Sequence, residues 1–169
     1  EIKEKIKEEI DSNLNTAFSE ATSEPKIDVE LKDVYKKHVF KKIDHSSKSQ
    51  NLRFVDAISE GLFQSMERND DLILMGQDIA EYGGVFKVTE GFTDKFGLER
   101  VRNTPICESS IIEVAMGLSI CKTKSVVELQ FSDFISSGFN PVVNYLAKSF
   151  YRWEQNADVV LRMPCGAGV

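Results

Sequence analysis

The stretch IIEVAMGLSICKTKSVVELQF, residues 111–131, decides the fold class. Ile111 to Cys121 is apolar and interleaved with small side chains, which predicts a helix packed closely in a core. After Lys122-Thr123-Lys124 comes Ser125 to Phe131, a short run with the composition of a buried strand.

The alternation extends both ways. Upstream, apolar residues at 54, 55, 58, 62, 63 and 66 follow helical spacing from Phe54 to Met66. Leu72-Ile73-Leu74-Met75, ended by Gly76, predicts a buried strand. Residues 80–104 are rich in Gly, Phe and charge and read as a long functional loop with one helical turn. Downstream, Phe139, Val142, Val143, Leu146, Phe150 and Trp153 form a helix stripe that tolerates Pro141 in its first turn. Asp158 to Met163 is a third strand, stopped by Pro164. The order helix-strand-helix-strand-helix-strand predicts an α/β fold with a mostly parallel sheet flanked by helices. Ligands of such sheets bind outside the carboxyl ends of the strands. Those ends are Gly76-Gln77-Asp78, Gln130-Phe131-Ser132-Asp133-Phe134 and Met163-Pro164-Cys165-Gly166.

The 169 residues are 41% apolar and 28% charged, enough for a sizeable core. All ten glycines and 13 of the 16 aromatics follow residue 50, so the globular domain is expected at 51–169. Residues 1–40 are an appendage and 41–50 a flexible linker. The appendage opens with Ile2, Ile6, Ile10 and Leu14 at i, i+4 spacing, an amphipathic helix to about Phe18. Without a starting Met, the chain is expected to be a piece of a longer one. Net charge is -6 and no long basic block occurs, which argues against nucleic-acid binding. No run of 18 apolar residues predicts a membrane helix. Cys107, Cys121 and Cys165 are too widely spaced for a zinc pattern or disulfide framework, so a reducing cytoplasm is expected. His38 and His45 lie ahead of the globular part, so no His-dependent triad or metal site is expected within this chain.

Glu108 is the most suggestive single residue, because it stands where a mostly apolar helix begins. A carboxylate there is favoured by the helix dipole, and it is equally an ordinary helix-start device. Gln130, Phe131 and Phe134 could wall a flat heteroaromatic ligand or be plain core aromatics. Gly83-Gly84 with Lys87 hints at a phosphate loop but lacks the strand-loop-helix context such loops need. Cys107 reads as a packed thiol.

Three segments, taken together, resemble a known family. They are Gly76-Gln77-Asp78-Ile79-Ala80 with Gly83-Gly84-Val85-Phe86 and Gly91; Arg100 through Thr104-Pro105-Ile106-Cys107-Glu108; and Glu128-Leu129-Gln130-Phe131-Ser132-Asp133-Phe134. Their order and spacing are similar to the beta-type decarboxylating component of 2-oxo acid dehydrogenase complexes, nearest the branched-chain (2-oxoisovalerate) subgroup, with pyruvate enzymes next. The first forty residues resemble the C-terminal tail of the alpha-type subunit, as in a fused alpha-beta chain.

The resemblance implies a thiamine diphosphate-binding fold and, from 51 to 169, a transketolase-like pyrimidine-binding domain truncated at its C-terminal end. It implies that the diphosphate and its Mg2+ are held by the alpha-type half, outside this chain, and that the isolated chain is inactive. Glu108 matches the glutamate that hydrogen-bonds pyrimidine N1′ and favours the reactive imino form of the cofactor. By the same carry-over Ile106 touches the pyrimidine, Phe134 stacks on it and Gln130 lies beside it. Gln77 stands where the family usually has Glu, and an amide cannot relay a proton; it is carried over as a contact. The implied partners are the alpha-type half, further copies in a homo-oligomer and a lipoyl acyltransferase. The implied location is the bacterial cytoplasm or the mitochondrial matrix. Other readings are a pyruvate-, acetoin- or transketolase-like thiamine enzyme, and a non-catalytic interaction module.

Overall fold

The computed structural model describes residues 1–42, 44 and 49–166. It divides into two compact units, Glu1–Asp33 and Val34–Val169.

The first unit holds α1 (Ile2–Ser19) and α2 (Ile27–Asp33). The Ile2, Ile6, Ile10 and Leu14 stripe makes α1 amphipathic, yet the helix buries no side chain. Near its end the Thr16 and Ser19 hydroxyls donate to the carbonyls of Ser12 and Thr16, a local alternative to further helix. Of the linker expected at 41–50, Ile43 and 45–48, His45 included, lie outside the described residues; the rest form neither helix nor strand.

The second unit is built on four parallel strands: β1 (Ile73–Gly76), β2 (Val101–Asn103), β3 (Ser125–Glu128) and β4 (Val159–Arg162), in the order β2-β1-β3-β4. The α/β expectation is met. Leu74 stands opposite Val101 and Val126, and Met75 opposite Val127, so the pleat sorts neighbouring residues onto opposite faces. Leu74, Val101 and Val126 join Met66, Phe92 and Ile79 in one core layer. This layer packs under α3 (Phe54–Arg68) and α4 (Phe92–Phe96). Met75, Val127 and Leu129 join Ile111, Ile112 and Ala115 of α5 (Glu108–Ile120) in the other. Burial on both faces is why β1 reads as an unbroken apolar run rather than an alternating one; in β3 the buried Ser125 and Glu128 flank Val126 and Val127.

Arg100 ties the first layer together. Its guanidinium donates to the carbonyls of Met66, Asn69 and Leu72 and lies 5.2 Å from the Phe96 ring centroid. One side chain thus closes the end of α3, the entry to β1 and the flank of α4.

Three expectations are corrected. The loop at 80–104 ends in β2, a strand of three residues with only Val101 buried, too short and polar to announce itself. The single helix expected from Phe139 to Trp153 is a series of short pieces. A 3-10 segment, Ser132–Gly138, precedes one α-turn, α6 (Phe139–Pro141); a π-turn, Val142–Leu146, follows and then α7 (Ser149–Trp153). The π-turn closes through Ala147 N–H to the Val142 carbonyl, and the Ser149 hydroxyl takes the Leu146 carbonyl where the helix restarts. The β3 ladder stops at Glu128, though Leu129 N–H still donates to Arg162 and Ser132 N–H to Pro164.

β1 connects to β2 on one side and has β3 on the other, so their carboxyl ends flank a topological switch point. The strands approach closely there. A Cβ on Gly76 would lie 2.6 Å from the Glu128 carbonyl oxygen, which is main chain and cannot swing away. Gly117, by contrast, is exposed on α5 with nothing within 4 Å of its missing Cβ. Gly76→Ala should therefore destabilise the domain by about 1–3 kcal/mol or more. Gly117→Ala should stabilise it by roughly 0.5–1 kcal/mol by removing a helix-interior glycine. Urea midpoints of the two variants check this pair, and equal shifts would contradict the β1–β3 register.

Candidate functional site

Glu108 is the first residue of α5, and Cys107 is its cap. The segment arriving from β2 is pinned by Thr104 N–H, which donates to the Gly76 carbonyl at 2.9 Å. From the end of β1, Gln77 turns inward, only 3% exposed, and its Nε2 donates to Glu108 Oε1 at 3.3 Å. On the other side, the Ser109 hydroxyl donates to Ser137 and Gly138 lies against α5. Glu108 thus sits at the crevice between strand ends, half-buried, with the N-terminal amides of a 13-residue helix behind it. Its second oxygen, Oε2, takes no hydrogen bond among the described residues.

A second carboxylate lies deeper. Glu128 is 3% exposed and pairs with Arg162 across the ends of β3 and β4. Burial pushes its carboxyl above the usual range, and the Arg162 guanidinium opposes that rise. Glu128 Oε1 lies 3.4 Å from where a Cβ on Gly84 would be. The phosphate-loop reading of Gly83-Gly84 and Lys87 loses its donors, since the Gly83 and Gly84 amides already donate to the Ala80 and Asp78 carbonyls. Lys87 is also engaged: its ammonium donates to the Tyr82 carbonyl and sits 3.5 Å from the Tyr82 ring centroid. The loop itself is closely tied. Thr89 Oγ1 donates to Ile79, Asn103 Oδ1 accepts from Ala80 N–H, and the Ser59 hydroxyl donates to Val88.

Phe131 and Phe134 follow β3, and they meet edge to face at 5.8 Å and 88°. Phe86, from the glycine loop, meets Phe131 at 6.2 Å and 81°. Phe86 and Phe131 line a cavity of about 410 Å3 with Ser132, Asp133, Pro164, Cys165 and Gly166. Phe134 is 40% exposed and Ile106 83% exposed, so each offers apolar surface to something outside the domain core. Gln130 is half-buried at the same sheet end. Cys107 differs from the packed thiol expected. It is exposed, with its thiol 3.1 Å from the Ser110 hydroxyl, because an N-cap position stands off the helix.

The structure therefore brings Gln77 to Glu108 and sets Gln130 and Phe134 at the neighbouring strand end. Sequence reasoning missed the Gln77–Glu108 hydrogen bond, the Glu128–Arg162 pair and the aromatic role of Phe86. The first two join residues 31 and 34 positions apart, with no local pattern to betray them. Phe86 stood in the quoted Gly-Gly-Val-Phe element and could have been found there.

Comparison with known proteins places the sheet-bearing part of the chain in a family. The chain is 37% identical over 120 residues to the 2-oxoisovalerate dehydrogenase subunit beta of Bacillus subtilis, covering 70% of this chain and 37% of that protein. It is 39% identical over 123 residues to the 3-methyl-2-oxobutanoate dehydrogenase subunit beta of Mycobacterium tuberculosis, covering 72% and 35%. It is 37% identical over 122 residues to the pyruvate dehydrogenase E1 component subunit beta of Leifsonia xyli, covering 71% and 36%. The matched part spans little more than a third of each relative's length. The family model for the transketolase pyrimidine-binding domain matches residues 50–169, the part that carries the sheet, Gln77 and Glu108, and the chain belongs to that family.

Proposed function

We propose that this chain contributes the pyrimidine-binding half of a thiamine diphosphate-dependent 2-oxo acid dehydrogenase, of the branched-chain type, that passes its acyl group to a lipoyl carrier. The observation that carries the reading is Glu108. It stands at a helix N-terminus in the switch-point crevice, with one oxygen held by Gln77 and the other unclaimed among the described residues. That donor set suits a ring nitrogen that must share a proton. Bound thiamine diphosphate would supply the carbanion chemistry of decarboxylation. Glu108 Oε2 would hold the proton shared with pyrimidine N1′, a contact that gains strength where water is excluded. Ile106 and Phe134 would give the ring apolar surface, and Gln130 would orient it from the side.

The diphosphate and Mg2+ would be held by the alpha-type half. The lipoyl acyltransferase component and further copies of the chain complete the proposed assembly. The three free, exposed cysteines fit a reducing compartment, the bacterial cytoplasm or the mitochondrial matrix.

Two outcomes are expected. The 169-residue chain alone should release no carbon dioxide from 2-oxoisovalerate when given thiamine diphosphate and Mg2+, and steady cofactor-dependent release would sink the half-site assignment. In the complete enzyme, Glu108→Gln should keep fold and cofactor binding but lose roughly 10²- to 10⁴-fold in kcat, because the amide has the same shape yet shares no acidic proton. A carboxylate that only starts a helix would cost about 0.3–1 kcal/mol of stability and leave kcat nearly unchanged. Measuring kcat and Tm of this variant separates the two.

A further inference from the structure

Gln77 is a polar side chain in an apolar place. It is 3% exposed, and its neighbour Gly76 is pressed against the β3 main chain. Asp78 then takes a left-handed conformation, φ 55°, with its side chain exposed, while Gln77 stays fixed toward the interior. The amide's partner among the described residues is Glu108 Oε1 at 3.3 Å. A buried amide is costly unless hydrogen-bonded, so the energetics mark this contact as more than incidental packing. The donor must be the amide N–H, because a carbonyl facing a carboxylate would set two acceptors against each other.

We propose that Gln77 is a positioning residue for Glu108: its buried amide claims Oε1 permanently, so that Oε2 alone faces the ligand. This rests on the assignment of Glu108 as the group that meets the pyrimidine. An amide suits the task because it donates at every accessible pH and has no proton to give up. A carboxyl in its place donates only while it is protonated. The other titratable groups on the packed elements are Asp78 beside Gln77, Cys107 and Glu113 around the start of α5, Asp133 on the 3-10 segment, and Glu128, which is committed to Arg162.

The test uses the complete, assembled enzyme and four variants: Gln77→Met, Gln77→Glu, Glu108→Gln and the double variant that combines the last two. Gln77→Met removes the donor while nearly keeping the shape. It should lower kcat about 10- to 100-fold, the scale of a lost hydrogen bond to a charged group, with KM for the 2-oxo acid little changed. Gln77→Glu sets two carboxyls together. At low pH one shared proton restores the missing donor; as pH rises that proton leaves and two like charges face each other. The native variant then binds more protons than its unfolded chain, so its Tm relative to the parent should fall with rising pH. In the double variant the amide introduced at position 108 donates to the carboxylate introduced at position 77, and this pH dependence should vanish. A Tm loss that is independent of pH, or that persists in the double variant, or an unchanged kcat in Gln77→Met, would overturn the positioning role. Near-normal turnover of Glu108→Gln would instead overturn the underlying assignment, whatever the Tm series shows, so the two failures are distinguishable.

Discussion

The close approach of β1 and β3 governs the functional end of this domain. Gly76 faces the Glu128 carbonyl so nearly that only a missing side chain lets the two strands pair in register. Because the ladder holds to that last residue, the chain leaves β1 at a fixed point. Gln77 falls inward, Thr104 is drawn onto Gly76, and α5 starts where its first carboxylate meets the Gln77 amide. The geometry of the crevice follows from main-chain packing, and the polar side chains are placed by it.

The two acidic residues at this end show how environment divides labour. Glu128 lies beneath the Gly83-Gly84 loop, paired with Arg162, and burial outweighs that partner in setting its proton affinity. Removing two charges from water costs several kcal/mol per ion, so such a pair adds little net stability. It does join the ends of β3 and β4. Glu108 is half-buried at a helix N-terminus and meets a neutral amide, whereas Glu128 is buried against a guanidinium.

Much of this was legible from the residues alone, for identifiable reasons. β1 is buried on both faces, so its apolar run stood out; β3 showed itself through Val126 and Val127 between two polar residues, and α5 could be placed because Ile111, Ile112 and Ala115 share one core layer. β2 could not, since an edge strand of three residues buries only Val101. The region after Phe139 carries a helical stripe, but its backbone is set by tertiary packing: Gly138 is jammed against Ile112 and α5, and the chain turns through 3-10 and π geometry to keep Val142 and Leu146 on the core. Glu108 was legible as a helix start and, through resemblance, as a candidate for chemistry. Its partner was not, because nothing local couples residue 77 to residue 108.

The strand order also has a kinetic side. No ladder in the sheet joins neighbours through a tight turn: Leu74 pairs with Val101 and with Val126, and Val126 with Val160. Each doubling of a closed loop adds only about 0.6 kcal/mol of entropy, yet that cost falls before any ladder forms. A domain of such distant contacts folds slowly for its size. During synthesis α3 and β2 can cover the Leu74 face of β1 early, but the Met75 face stays uncovered until α5 and β3 follow.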